Sequence, residues 1–120
     1  MKRDAAMTQR LRGVIARLES QTRDGQLGWE KQAGSAHRYT QIKNHLVILG
    51  PAAPLDSDMP RYLFITPFDS PNHFEVNSND DELGPAVLSL AKTVEEACKD
   101  KPAVDPFAVT DKLLERLESM

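Results

Sequence analysis

Three histidines, one cysteine and a few clustered carboxylates are the residues of this chain that could do chemistry. His37, His45 and His73 are natural metal ligands, and His37 and His45 could face each other near a hairpin. Yet no Cys or His pair stands at a zinc-site spacing, and neither HExxH nor CxxC occurs. They read as strand-surface histidines, and no metal or cofactor is assigned. Cys98 could act as a nucleophile beside a sheet histidine. Its helix-interior position, among Glu95, Glu96 and Asp100, would raise rather than lower a thiol pKa, so it reads as a packing cysteine. The run Asp80-Asp81-Glu82 lacks the alternating ligands and glycine of a calcium loop and is expected to open a helix instead. Glu30, Asp69 and Glu75 could pair as acid and base, but nothing in their spacing fixes a separation. Gly25-Gln26-Leu27-Gly28 is a glycine pair in a turn, not a phosphate cradle, and no serine-hydrolase signature is present. No catalytic residue is assigned.

The elements that must position these residues are set by hydrophobic period. From Ala5 to about Thr22 the apolar positions Met7, Leu11, Val14, Ile15 and Leu18 form the stripe of an amphipathic helix. Asp4 is placed to cap it and Gly25 follows its end, while Gly13 weakens it by about 1 kcal/mol relative to alanine unless a close contact uses the missing side chain. Leu27 to Lys31 reads as a first short strand. His37 to Ile42 and His45 to Gly50 read as two strands around Lys43-Asn44, where Asn44 tolerates positive φ. Leu46-Val47-Ile48-Leu49 is apolar on both faces, which predicts a central strand covered on each side, or by helix on one side and a partner on the other. Residues 51–60 hold three prolines and read as an exposed loop. Arg61 to Phe68 is the next strand, with Pro67 marking an edge or bulge, and His73 to Asn77 returns antiparallel to it.

A second helix is expected to open at Ser78 or Asn79 and to carry Leu83, Val87, Leu90, Ala91, Val94 and Ala97; a third starts at Asp105-Pro106 with Phe107, Leu113, Leu114 and Leu117. Turns too short for helical crossovers imply an α+β fold. Its parts are an N-terminal amphipathic helix, an antiparallel sheet of four to five strands and two C-terminal helices packed on one face, in a single domain over residues 1–120.

Composition bounds the function. The chain is 40 % hydrophobic and 28 % charged, an ordinary globular balance, with no run long enough to span a membrane. Arginines at 10, 12 and 17 stand where an export signal would need an apolar stretch, and one cysteine fits a reducing compartment, so a cytoplasmic location is expected. Charge is split along the chain: residues 1–49 hold nine Lys/Arg against four Asp/Glu, and residues 50–120 hold six against fourteen. Arg10 and Arg17 recur at seven residues on one flank of the first helix, a row that could track phosphates. A pI near 5.6 and the missing helix-turn-helix and RNA-binding motifs favour a protein surface, on this chain or a second copy, over nucleic acid. The aromatic residues Trp29, Tyr39, Tyr62, Phe64, Phe68 and Phe74 all fall in expected strands. Core packing is the favoured reading, with Trp29 and a nearby tyrosine as a candidate exposed recognition patch beside it.

Thr22, Gly25, Leu27 and Trp29 after the first helix, then Tyr39, Val47 and Ile48, then Tyr62, Phe64, Ile65 and Asp69 before a closing helix, form an arrangement that resembles small uncharacterised bacterial proteins built as helix, meander and helix. The resemblance implies an accessory or immunity-type role and carries over no catalytic residue. Where such proteins usually have a glycine after the Asp69 turn, this chain has Ser70-Pro71-Asn72.

The expectation is a non-enzymatic interaction protein that binds a protein partner or a second copy of itself, with Arg10, Arg17, Trp29, Tyr39 and Tyr62 as candidate contacts. The alternatives are a nucleic-acid-associated regulator using the basic helix and, third, a small enzyme with an unrecognised site.

Overall fold

Helix α1 (Ala5–Arg23) opens the chain. The Asp4 side chain accepts the Met7 backbone N–H at 2.7 Å, satisfying one of the amides that a helix start leaves without a partner. Gly25 follows with φ +76°, the left-handed conformation expected of a glycine beyond a helix end. The computed structural model describes residues 4–31, 34–51, 59–69, 71–102 and 114–118.

Five strands follow in an antiparallel sheet whose spatial order is the chain order: β1 (Glu30–Lys31), β2 (Arg38–Ile42), β3 (His45–Gly50), β4 (Tyr62–Pro67) and β5 (Phe74–Asn77). The fold is therefore α+β, with a meander in which each strand pairs with its neighbour in sequence. β3 is central, as its apolar run requires. In the β2–β3 hairpin Lys43, not Asn44, takes positive φ (51°), so the left-handed position falls one residue earlier than expected. β1 begins at Glu30 because Gly28 and Trp29 are used otherwise: the Gly28 carbonyl accepts from Thr40 Oγ1 at 2.7 Å. Pro67 pairs only with His45, and the β4–β5 ladder runs no further than Ile65, so the missing proline N–H falls on a locally open edge.

Helix α2 (Gly84–Cys98) starts several residues later than expected. Asp80 does cap a turn, its Oδ1 accepting from the amides of Glu82 and Leu83, and Gly84 N–H bonds the Asp80 carbonyl. Pro85 has no N–H to continue that ladder, so the acidic run sits in a turn before the helix and not in its first turn. Gly84 fits closely there, since an added Cβ would collide with the Ser78 carbonyl oxygen. On α2 the buried stripe is Val87, Leu90, Ala91, Val94 and Cys98; Ala97 is exposed, one position off the expected face.

Both helices pack on one face of the sheet, the core forming between Leu11, Ile15 and Leu18 of α1, the α2 stripe, and Val47, Leu49, Leu63 and Val76 from the strands. Glu19 joins the helices by accepting from the hydroxyls of Ser89 and Thr93 while pairing with Arg23. Residues 114–118 are helical and exposed. Most of the expected third helix, including Phe107 and Leu113, lies outside the described residues.

Candidate interaction surfaces

Register decides which side chains share a face. Directly paired residues stand on the same side of a sheet, so Val47, Leu49, Leu63 and Val76 look toward the helices, and the alternate residues look away. The row Tyr39, Ile48, Phe64 and Glu75 crosses four strands on that second face; Leu46 and Thr66 lie beside it, and Gly50, Tyr62 and Asn77 form the next row. Tyr39, Leu46, Ile48, Tyr62 and Phe64 are each half-buried, and neither α1 nor α2 lies over them. Tyr62 and Phe64 stack with ring centres 6.4 Å apart at 20°. Tyr39 exchanges a 3.1 Å hydroxyl contact with Ser35, and Ser35 Oγ also accepts the His37 amide at 3.1 Å, so the phenol at the rim is held in place. A polar hollow of about 280 Å³ beside Tyr39 is lined by Gly28, Glu30, Gln41 and Leu46.

Trp29 belongs to the opposite, covered side. It is 1 % exposed, and its indole N–H donates to Thr22 Oγ1 at 2.9 Å, while the Thr22 hydroxyl donates to the Leu18 carbonyl at 2.6 Å. Its own carbonyl accepts from Lys101 Nζ at 2.8 Å. The residue thus ties the end of α1 to the chain leaving α2, and the reading of Trp29 as part of an exposed recognition patch is corrected to a core residue. Its partner Thr22, a buried polar residue seven positions earlier, was not singled out for this role from the sequence.

The arginines of α1 separate into tied and untied groups. Arg12 donates to the Glu82 carbonyl at 3.4 Å and Arg23 pairs with Glu19 at 3.6 Å. Arg10 and Arg17 are exposed and make no ion pair or hydrogen bond among the described residues. They stand on the helix layer, across the sheet from Tyr39 and Tyr62. The five candidate contacts therefore do not converge: Tyr39 and Tyr62 share the sheet face turned away from α1 and α2, Arg10 and Arg17 share the back of α1, and Trp29 lies between the layers. Sequence reading missed the Arg38–Glu95 pair, which joins β2 to α2 with Nε 3.0 Å from Oε1 and Nη2 donating to Oε2 at 3.3 Å. The angle at Nε falls short of a hydrogen bond, leaving that contact as an ion pair alone.

The residues with potential for chemistry stay apart. His45 sits at the hairpin end opposite Pro67, His37 packs against Gly50 at the other end of β3, and His73 precedes β5, so His37 and His45 do not face each other. Among the described residues no group of three or more His, Cys, Asp and Glu side chains gathers to hold a metal ion. Cys98 is buried, and burial pushes its thiol pKa up against the lowering influence of Lys101 and Arg38. The direction was expected; the main cause is desolvation, with Glu95 a lesser contributor.

Among the described residues no helix is long and apolar enough to cross a membrane. No family model, curated protein or solved structure matches the chain.

Proposed function

We propose that this chain is a non-enzymatic interaction protein whose open sheet face binds a protein partner or a second copy. The observation that carries the reading is the set Tyr39, Leu46, Ile48, Tyr62 and Phe64, contiguous on the face that the helices leave uncovered. A one-sided antiparallel sheet ordinarily turns polar residues outward. Here the central strands place aliphatic and aromatic groups there, the residue types that anchor protein interfaces, with Gln41, Glu75 and Asn77 as a polar rim. An accessory role, as the resemblance to small bacterial helix–meander–helix proteins implies, fits such a surface.

Light scattering across concentration and salt, together with capture from native lysate, tests the reading. Wild-type protein should self-associate or retain a discrete protein, and Phe64→Glu should abolish either while keeping the far-ultraviolet spectrum. A strict monomer that retains nothing would refute it.

A second reading rests on Arg10 and Arg17, whose guanidinium groups are free on an exposed helix flank. They could meet phosphates. Arg12 and Arg23, the other arginines of α1, are engaged within the chain, so only this pair is left for phosphates, which favours the protein-binding reading. Fluorescence anisotropy with a nucleic-acid duplex at low salt decides this, because phosphate binding must weaken with salt and with Arg10→Glu/Arg17→Glu.

A further inference from the structure

On the helix side an apolar groove of about 320 Å³ runs between the first half of α1 and the hairpin end of the sheet. Met7 and Val14 form its helix wall, Ile42, Ile65 and Phe74 its sheet wall, and Arg10 its charged rim. The expected α1 stripe is wider than the core needs: Leu11, Ile15 and Leu18 are buried, whereas Val14 remains 42 % exposed, as does Phe74 across the groove. A second uncovered apolar surface exists in the same chain. Leu114 and Leu117, one turn apart on the helical residues 114–118, are 50 % and 55 % exposed. Of the six large hydrophobic residues exposed among the described residues, four thus fall in these two patches.

We propose that the groove is the docking site of the chain's own C-terminal helix, which closes it with Leu114 and Leu117 in cis. Charge favours this occupant. Glu115 and Glu118 flank the two leucines at the same one-turn spacing, and the untied Arg10 and Arg17 flank Val14. Length permits it. The C-terminal part of the chain departs beside Trp29, which Thr22 holds at the end of α1, and Val14 is eight residues, about 12 Å, back along that helix. The eleven residues between 102 and 114 reach at most about 40 Å when extended, well beyond the span required. A small ligand suits the groove less well, since such sites place several converging polar groups among their apolar walls and this one offers Arg10 and His45 at its edge. A tethered segment also meets the groove at an effective concentration that no free partner matches.

Disulfide trapping in the full chain tests the assignment. Val14→Cys with Leu117→Cys alters two exposed positions, and the buried native Cys98 competes poorly. The control pair is Gln26→Cys with Leu117→Cys: Gln26 is exposed and nearer the departure point, so a randomly moving tail would cross-link there faster. The expected result is a monomer-mass disulfide forming at least tenfold faster in the Val14 pair than in the control, and slowing when Arg10→Glu is added. A rate no greater than the control overturns the proposal. A product of dimer mass overturns docking in cis and hands the groove to a second copy.

Discussion

The two faces of the β-sheet carry similar numbers of apolar side chains and treat them differently. On one face Val47, Leu49, Leu63 and Val76 are at most 4 % exposed beneath two helices; on the other Tyr39, Ile48, Tyr62 and Phe64 are only partly buried. Hydrophobic content therefore does not by itself make a core. A core needs a second layer, and α1 and α2 supply one to a single face. The apolar residues left outside are where an interaction gains most, because burying one such side chain fully is worth about 1.5–3 kcal/mol.

The sharpest way to break this contrast is a pair of truncations on adjacent residues of β4. Leu63→Ala, at the centre of the covered face, should cost about 2–5 kcal/mol, the range for buried leucine, measured by urea unfolding of the monomer. Phe64→Ala should cost about 1 kcal/mol, within the range of ordinary point mutations, because its ring already meets solvent. Equal losses would mean that both faces are sealed.

Next in size is Gly84→Ala. The added methyl meets the Ser78 backbone, not a flexible side chain, so a loss of about 1–3 kcal/mol is expected from overpacking where the chain turns into α2. Retained stability would show that the turn can open.

The dryness of the covered side has a pH signature. Burial raises the Cys98 thiol pKa in the folded state, so below the ordinary thiol value both states stay protonated and stability does not depend on this group. Above it the unfolded chain ionises first, and stability falls as pH rises toward the folded value. Denaturation of wild type and Cys98→Ala from pH 7 to 10 should show a steeper alkaline decline in the wild type; parallel curves would place the thiol in water.

The smallest effect is a gain. Gly13 lies on the exposed side of α1 with nothing within 4 Å of an added Cβ, so Gly13→Ala should stabilise the protein by up to about 1 kcal/mol. A loss in thermal unfolding would reveal a contact on that flank.

Much of this architecture could be read from residue order. Asp4 capping, the α1 limits and the span of β3 were legible because each rests on local chemistry: a cap, a period, a two-residue turn. The two-sided apolar run at 46–49 also marked β3 as central, with helix cover on one side and either further cover or a partner on the other. The start of α2 was misread because Asp80 to Glu82 look like a first turn, and only the lost Pro85 amide separates that turn from the helix. Trp29 was placed in a strand because short alternation looks the same whether the indole faces water or Thr22. The Arg38–Glu95 pair was invisible, since residues 57 apart meet only through tertiary packing. Of the candidate contacts, types could be chosen but not faces, and the faces divide them.

The order of elements has a consequence for synthesis. Each strand finds its neighbour in the adjacent segment of chain, but α1 is made well before α2, with 70 residues separating Arg12 from Glu82. At about 5–20 residues per second, α1 waits roughly 4–14 s for the helix that packs beside it. Through that interval its leucines depend on whatever the growing meander or a ribosome-side chaperone offers. The exposed Arg10 and Arg17 on its outer flank are charged throughout that wait, and charge of this kind favours solubility of a half-covered helix.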